Sequence, residues 1–214
     1  MTYLDRVSTN GEHLLTLITN VLDLSRIESG KMPMLVEEID CNAMVVETVR
    51  MFLGHSASSA VSVIAHGSPQ PLNLSTDASK LRQVLINLIG NALKFTTNGS
   101  VTVSVNAEPE RRGHVVFTVA DTAIGIPADR LHAIFEAFEQ ADGTTSRQYG
   151  GTGLGLTISR TLCDLINATL TVESSVGVGS TFRVTCAPVV RRFTPPPARR
   201  SGTPIAMDAT SVPR

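Results

Sequence analysis

The chain has 214 residues, 42% hydrophobic and 17% charged, and its 18 basic and 19 acidic residues leave a formal net charge of −1. That is enough apolar chain for one full domain with a smaller piece attached, and the balanced charge excludes the basic footprint of a nucleic-acid binder. Aromatics at 4% with no Trp argue equally against a stacking platform for single strands.

Residues 3 to 29 read as a helix, because Leu14, Leu17, Ile18, Val21, Leu24 and Ile27 recur at three- and four-residue spacing. Gly30 and Pro33 end it. Its apolar stripe has no partner nearby in sequence, so a second helix, from another chain or another segment, is expected to cover it. Asp40 can cap a second helix carrying Val45, Val49, Phe52 and Leu53. "VSVIAH" (61–66) and "LNLS" (72–75) read as short strands separated by a Gly/Pro turn. Asp77 can cap a long helix from 78 to about 95, with Leu81, Val84, Leu85, Leu88, Ile89 and Ala92 as its apolar face. "SVTVSVNA" and "HVVFTVAD" alternate as an antiparallel hairpin. A loop follows, then a helix from about 154 to 166, then a second hairpin, "TLTVESS" and "STFRVTC", around "VGVG". Residues 194–214, rich in Pro, Ser and Arg, have no periodicity and read as a disordered linker or tail. The order predicts an α+β fold: a two-layer sandwich of a mixed, mostly antiparallel sheet with helices on one face, preceded by a long helix. The expected division is residues 1–32, 33–190 and 191–214.

Cys41, Cys163 and Cys186 are far apart and lack metal-ligand spacing, and read as buried apolar residues in a reducing compartment. No apolar run approaches the ~20 residues needed to cross a bilayer. The first ten residues lack the basic start and apolar stretch of a signal peptide. A cytoplasmic segment without membrane contact is expected.

Three stretches carry chemistry. In "NLIGNALKF" (87–95), Asn87, Asn91 and Lys94 share one helical face. Alone the trio also fits a solvated outer face, but amide oxygens suit magnesium and an ammonium neutralises phosphate. In "DTAIGIP", Asp121 ends a strand, where its carboxylate can accept from an exocyclic amine, and Gly125 lets backbone approach a planar ring; a plain turn is the alternative. "GGTGLGL" (150–156) runs into a helix, and Gly151, Gly153 and Gly155 would expose backbone N–H groups at its N-terminus. A flexible hinge is the alternative there.

Together and in this order, the stretches resemble the ATP-binding domain of sensor histidine kinases, a branch of the Bergerat-type ATPases that includes gyrase B and MutL. "NLIGNALKF" looks like the N box, "DTAIGI" the first glycine box, "FEAFEQAD" (135–142) the F box and "GGTGLGL" the second glycine box. "GEHLLTLITNVLDLSRIESGK" resembles the second helix of the dimerisation domain. The resemblance covers roughly residues 4 to 187.

It implies ATP and Mg2+ as ligands, with Asn91 holding the metal, Asn87 lining the same site, Lys94 reaching phosphate and Phe95 bordering the nucleotide. Asp121 would bind the adenine amine, Gly125 would give the ring room, and Thr181 would approach adenine through a water. Phe135 and Phe138 would anchor a lid over about 140–150, with Arg147 in it as a phosphate contact. Gly151, Thr152, Gly153, Leu154 and Gly155 would line the phosphates. The implied partners are a dimerisation helix of the same kinase family and a response-regulator receiver domain, with a homodimer through the apolar helix. Hydrolytic relatives carry a glutamate base at position 87; the amide of Asn87 cannot take a proton from water, which points to phosphoryl transfer instead.

Two features depart from the family. Ala123 stands where the pattern has glycine, which would cost about 1 kcal/mol if φ there were positive or crowd the adenine if it were not. The phosphoacceptor histidine, followed by an acidic residue and soon after a proline, has no counterpart; His13 in "GEHLLTL" has neither feature. The expectation is a histidine-kinase catalytic domain unable to phosphorylate itself. The alternative is a degenerate module that binds nucleotide or a partner without catalysis.

Overall fold

The computed structural model describes residues 32–53, 60–136 and 153–188, together with part of the positions from 11 to 30. Strand β1 (Glu37–Asp40) leads directly into helix α1 (Cys41–Leu53). Asp40 makes the junction: its Oδ1 accepts from the N–H of Asn42 at 2.8 Å and of Ala43 at 3.1 Å. Strands β2 (Val61–His66) and β3 (Asn73–Thr76) follow.

Helix α2 (Ala78–Phe95) has the expected bounds. Asp77 Oδ1 caps it, accepting from Lys80 N–H at 3.1 Å, and the predicted stripe from Leu81 to Ala92 is buried. Thr96 closes the far end with its N–H on the Ala92 carbonyl. Strands β4 (Gly99–Ala107) and β5 (Val115–Asp121) form the first hairpin. Two 3-10 turns, Ala128–Arg130 and Ala133–Phe135, come next. Helix α3 (Gly155–Leu165) precedes the second hairpin, β6 (Ala168–Ser175) and β7 (Gly179–Cys186).

The main sheet has the order β2-β4-β5-β7-β6, with β2 and β4 parallel and the other pairs antiparallel. Val101, Val103 and Val105 of β4, Val115, Phe117 and Val119 of β5, and Phe182, Val184 and Cys186 of β7 are buried. The residues between them are less buried and polar in part, such as Thr102, Ser104, Thr118 and Arg183. One face therefore meets α1, α2 and α3 and the other does not, as period-two alternation requires. This is the expected two-layer α+β fold.

The two strands before α2 are not a local pair. β2 joins the main sheet, while β3 pairs antiparallel with β1, from Glu37 opposite Thr76 to Asp40 opposite Asn73. Strand β1 itself went unforeseen. Cys41, Cys163 and Cys186 are buried free thiols as expected, and among the described residues no helix is long and apolar enough to cross a membrane. The described positions before residue 28 are helical, and Leu14, Leu15, Ile18, Val21 and Leu22 are exposed there. Leu17, Leu24, His13 and the tail from 191 lie outside the described residues.

Candidate functional site

Helix α2 turns its buried stripe to the sheet, which leaves Asn87, Asn91 and Lys94 half-buried along its flank. They are not a solvated outer face. Asn87 Nδ2 donates to the Gly155 carbonyl and to Ser159 Oγ, each at 3.3 Å. The buried Ser159 hydroxyl donates to the same carbonyl at 2.9 Å. Asn87 thus ties the middle of α2 to the first turn of α3. Lys94 Nζ lies 4.8 Å from the Phe95 ring centroid. Burial holds its ammonium below the usual lysine pKa, and among the described residues no carboxylate pairs with it. An ammonium in that state gains from an anion brought beside it.

Asp121 stands at the end of β5, as predicted. Its Oδ1 accepts from Ala123 N–H at 2.9 Å and from Ser180 N–H at 3.0 Å. Burial raises its pKa, and the two backbone N–H groups partly oppose the rise. With Oδ1 taken up, Oδ2 has no protein donor among the described residues. Ala123 is buried, and among the described non-glycine residues only Asn167 has positive φ. The conformational penalty considered for Ala123 is therefore not incurred.

Gly125 has φ +75°, and a Cβ on it would lie 2.1 Å from the Ser175 carbonyl oxygen. The fold itself requires glycine there, so that the loop after β5 can lie against the β6–β7 turn. Gly179, at φ +133°, is its counterpart: a Cβ would lie 2.0 Å from the Asp121 carbonyl oxygen. This second close approach went unforeseen, although a glycine just before the alternating "STFRVTC" is the sort of signal that marks one. Thr181 follows in β7, opposite Ala120 of β5.

The second glycine box is described from Gly153 onward. Gly153 has φ +67°, Leu154 is buried, and α3 starts at Gly155 without a side-chain cap. A Cβ on Gly155 would meet nothing within 4 Å. Among the described residues no side chain caps this helix N-terminus beside Asn87, a setting that suits an anion. Phe135 ends the second 3-10 turn and packs on the core, with the Arg160 guanidinium of α3 5.5 Å from its ring centroid. Phe138, Arg147, Gly151 and Thr152 lie outside the described residues.

Asn87 thus joins the flank of α2 that carries Asn91 and Lys94 to the start of α3, and Asp121 stands at the end of β5 opposite Val101, near the start of the strand that follows α2. Residues 76–190 match the family of histidine kinase-, DNA gyrase B- and HSP90-like ATPases, and the chain belongs to that family. Within it, the chain carries an ATP-binding catalytic domain of the two-component histidine-kinase type.

Hybrid signal transduction histidine kinase L of Dictyostelium discoideum is 39% identical over 90% of this chain and 11% of its own length. The circadian input-output histidine kinase CikA of Synechococcus elongatus is 38% identical over 85% of this chain and 24% of its own. The chain thus spans a quarter or less of these relatives. Full-length ShkA, solved with AMPPNP, superposes with a TM-score of 0.75 at 30% identity over 86% of this chain and 38% of its own. The histidine kinase AdeS of Acinetobacter baumannii, at 20% identity, shares the fold with a TM-score of 0.70 over 86% of this chain and 83% of its own.

Proposed function

We propose that this chain binds Mg-ATP and transfers its γ-phosphoryl group to a histidine on a dimerisation helix that the chain does not itself supply. The observation that carries the reading is the pair of Asn87 bonds that join the α2 flank bearing Asn91 and Lys94 to the start of α3, with the half-buried Asp121 carboxylate at the end of β5 as the second support. Asp121 offers a carboxylate oxygen to an adenine amine. Lys94 is desolvated and draws a phosphate. Asn91 is the candidate magnesium ligand, and the ion would neutralise phosphate charge there. The helix start offers backbone N–H groups to phosphate. That full-length ShkA, 30% identical, was solved in complex with AMPPNP supports a nucleotide ligand for this chain.

Transfer rather than hydrolysis follows from Asn87. Its amide has no basic lone pair to accept a proton from water, and its Nδ2 is already committed to Gly155 and Ser159. What remains is positioning and charge neutralisation, the main terms of phosphoryl transfer. The acceptor helix, a receiver domain downstream and a second copy packed on the exposed leucines are the partners of this reading, in the cytoplasm where ATP is supplied. The non-catalytic alternative leaned on Ala123; its ordinary φ removes the backbone penalty, and the Ala123→Gly titration tests whether its methyl crowds the adenine.

Calorimetric titration with AMPPNP and Mg2+ tests the binding step. A saturable heat is expected, together with a rise in melting temperature. No heat and no thermal shift at saturating nucleotide would refute the proposal.

A further inference from the structure

The loop after β5 and the β6–β7 turn meet almost backbone to backbone. Cβ atoms on Gly125 and Gly179 would fall 2.1 Å and 2.0 Å from carbonyl oxygens of the opposite segment. Three hydrogen bonds stitch the segments together. Gly177 N–H donates to the Ile124 carbonyl at 2.8 Å, Ser180 N–H to Asp121 Oδ1 at 3.0 Å, and Ile126 N–H to Ser174 Oγ at 2.8 Å.

Ser174 is the hub. Its hydroxyl donates to the Gly179 carbonyl at 2.9 Å, which uses its single proton. It accepts from Ile126 N–H, and its oxygen lies 2.9 Å from Ser180 Oγ. A hydroxyl has one donor and two acceptor positions, so the buried Ser180 hydroxyl must donate to Ser174. All three positions of Ser174 are then filled. One bond goes to the loop that carries Ala123 and Gly125, one to the carbonyl before Ser180, and one to the side chain of Ser180 itself. The backbone N–H of Ser180 is one of two groups that orient the Asp121 carboxylate.

We propose that Ser174 is a positioning residue for nucleobase recognition. It fixes the spacing between the Ile124–Ile126 loop and the start of β7, and so sets where Asp121 Oδ2 points. It touches no ligand in this account and acts through Ser180 and Ile126. The proposal rests on the reading that Asp121 accepts from the adenine amine. Its signature is a change in base selectivity: ATP carries the exocyclic amine, and ITP carries a carbonyl in its place with the same triphosphate.

The test is calorimetric titration of the full chain with ATP and with ITP, both with Mg2+, for wild type, Ser174→Ala, Ser174→Thr and Asp121→Ala. Wild type is expected to prefer ATP. Ser174→Ala is expected to lower the ATP-to-ITP affinity ratio about fivefold, the worth of one ordinary hydrogen bond, while ITP binding holds. Ser174→Thr keeps the hydroxyl and is expected to keep the ratio. An unchanged ratio in Ser174→Ala, or an equal loss for both nucleotides, overturns the positioning role and leaves the Asp121 reading standing. If Asp121→Ala leaves the ratio of wild type unchanged, the Asp121 reading itself fails and the Ser174 role falls with it.

Discussion

Asp121, the proposed recognition residue, works against its own fold. Burial raises its folded-state pKa above the ordinary aspartate value of ~3.9. The folded chain then binds that proton more tightly than the unfolded chain, so stability falls as pH rises through the window between the two values. At neutral pH the buried carboxylate is a net cost. Asp121→Asn keeps a carbonyl for the two N–H groups and drops the charge. It is expected to melt at or above the wild-type temperature at pH 7, with the gap closing as pH falls toward ~4. ATP affinity should drop roughly ten- to a hundredfold, since a charge-assisted hydrogen bond is lost. Differential scanning fluorimetry at both pH values, with a titration at pH 7, checks both halves. Ala123 is the quieter case. Its N–H serves Asp121, its methyl is buried and its φ is ordinary. Ala123→Gly should therefore cost about 0.5–1 kcal/mol through unfolded-chain entropy and should tighten ATP binding or leave it unchanged, never weaken it, as urea unfolding and titration would show.

At the scale of elements, α2 organises the site and Asp77 organises α2. Burial alone would raise the Asp77 pKa, but four contacts hold its carboxyl well below the carboxylate range. These come from Lys80 Nζ at 2.6 Å, Leu35 N–H at 2.8 Å, Ser79 Oγ at 2.7 Å and Lys80 N–H at 3.1 Å. Lys80 Nζ also donates to the Pro33 carbonyl at 2.7 Å. One carboxylate therefore caps the helix and pins the segment that arrives from the N-terminal helical positions. Because the folded pKa is depressed, its stabilisation is present above ~pH 4 and is lost as pH falls through the folded value. Asp77→Ala should cost roughly 2–4 kcal/mol, a lost cap plus a half-buried ammonium left with only the Pro33 carbonyl. The difference from wild type should shrink in acid, as urea midpoints at pH 7 and pH 3 would reveal.

The elements also show what a sequence can and cannot disclose. Helix α2 was legible because its signals are local: Asp77 caps it from the position just before, and the stripe from Leu81 to Ala92 lies within its 18 residues. Both hairpins were legible because alternation and a turn are local signals. Strand β1, four residues reading "EEID", was not, because its pairing with β3 is set by chain 33 to 39 residues away, from Asp40 opposite Asn73 to Glu37 opposite Thr76. The parallel pairing of β2 with β4 spans all of α2 and leaves no local trace. In the candidate site, Asn87, Asn91, Lys94 and Asp121 were legible from residue type and spacing. Ser174 and Ser180 were not, since serines in an alternating strand look like its solvent face until the neighbouring loop is in place.

Over the whole molecule, the proposal under test is a nucleotide site whose γ-phosphoryl group goes to a histidine outside residues 1–214. Transfer needs an acceptor in line with the γ-phosphate at about 3–3.5 Å, and no His followed by an acidic residue and a nearby Pro occurs in this sequence. His13 is followed by Leu14 and Leu15, with no acid beside it to orient the ring. The exposed Leu14, Leu15, Ile18, Val21 and Leu22 form an apolar surface of the sort a helical partner would cover. The measurement that bears most directly on the claim is incubation with γ-labelled ATP and Mg2+, alone and with a separate chain carrying a dimerisation helix with its histidine. The account predicts no label on this chain alone, and acid-labile, base-stable label on the added helix. Acid-labile label on His13, or release of free phosphate with no transfer to the added helix, would contradict it.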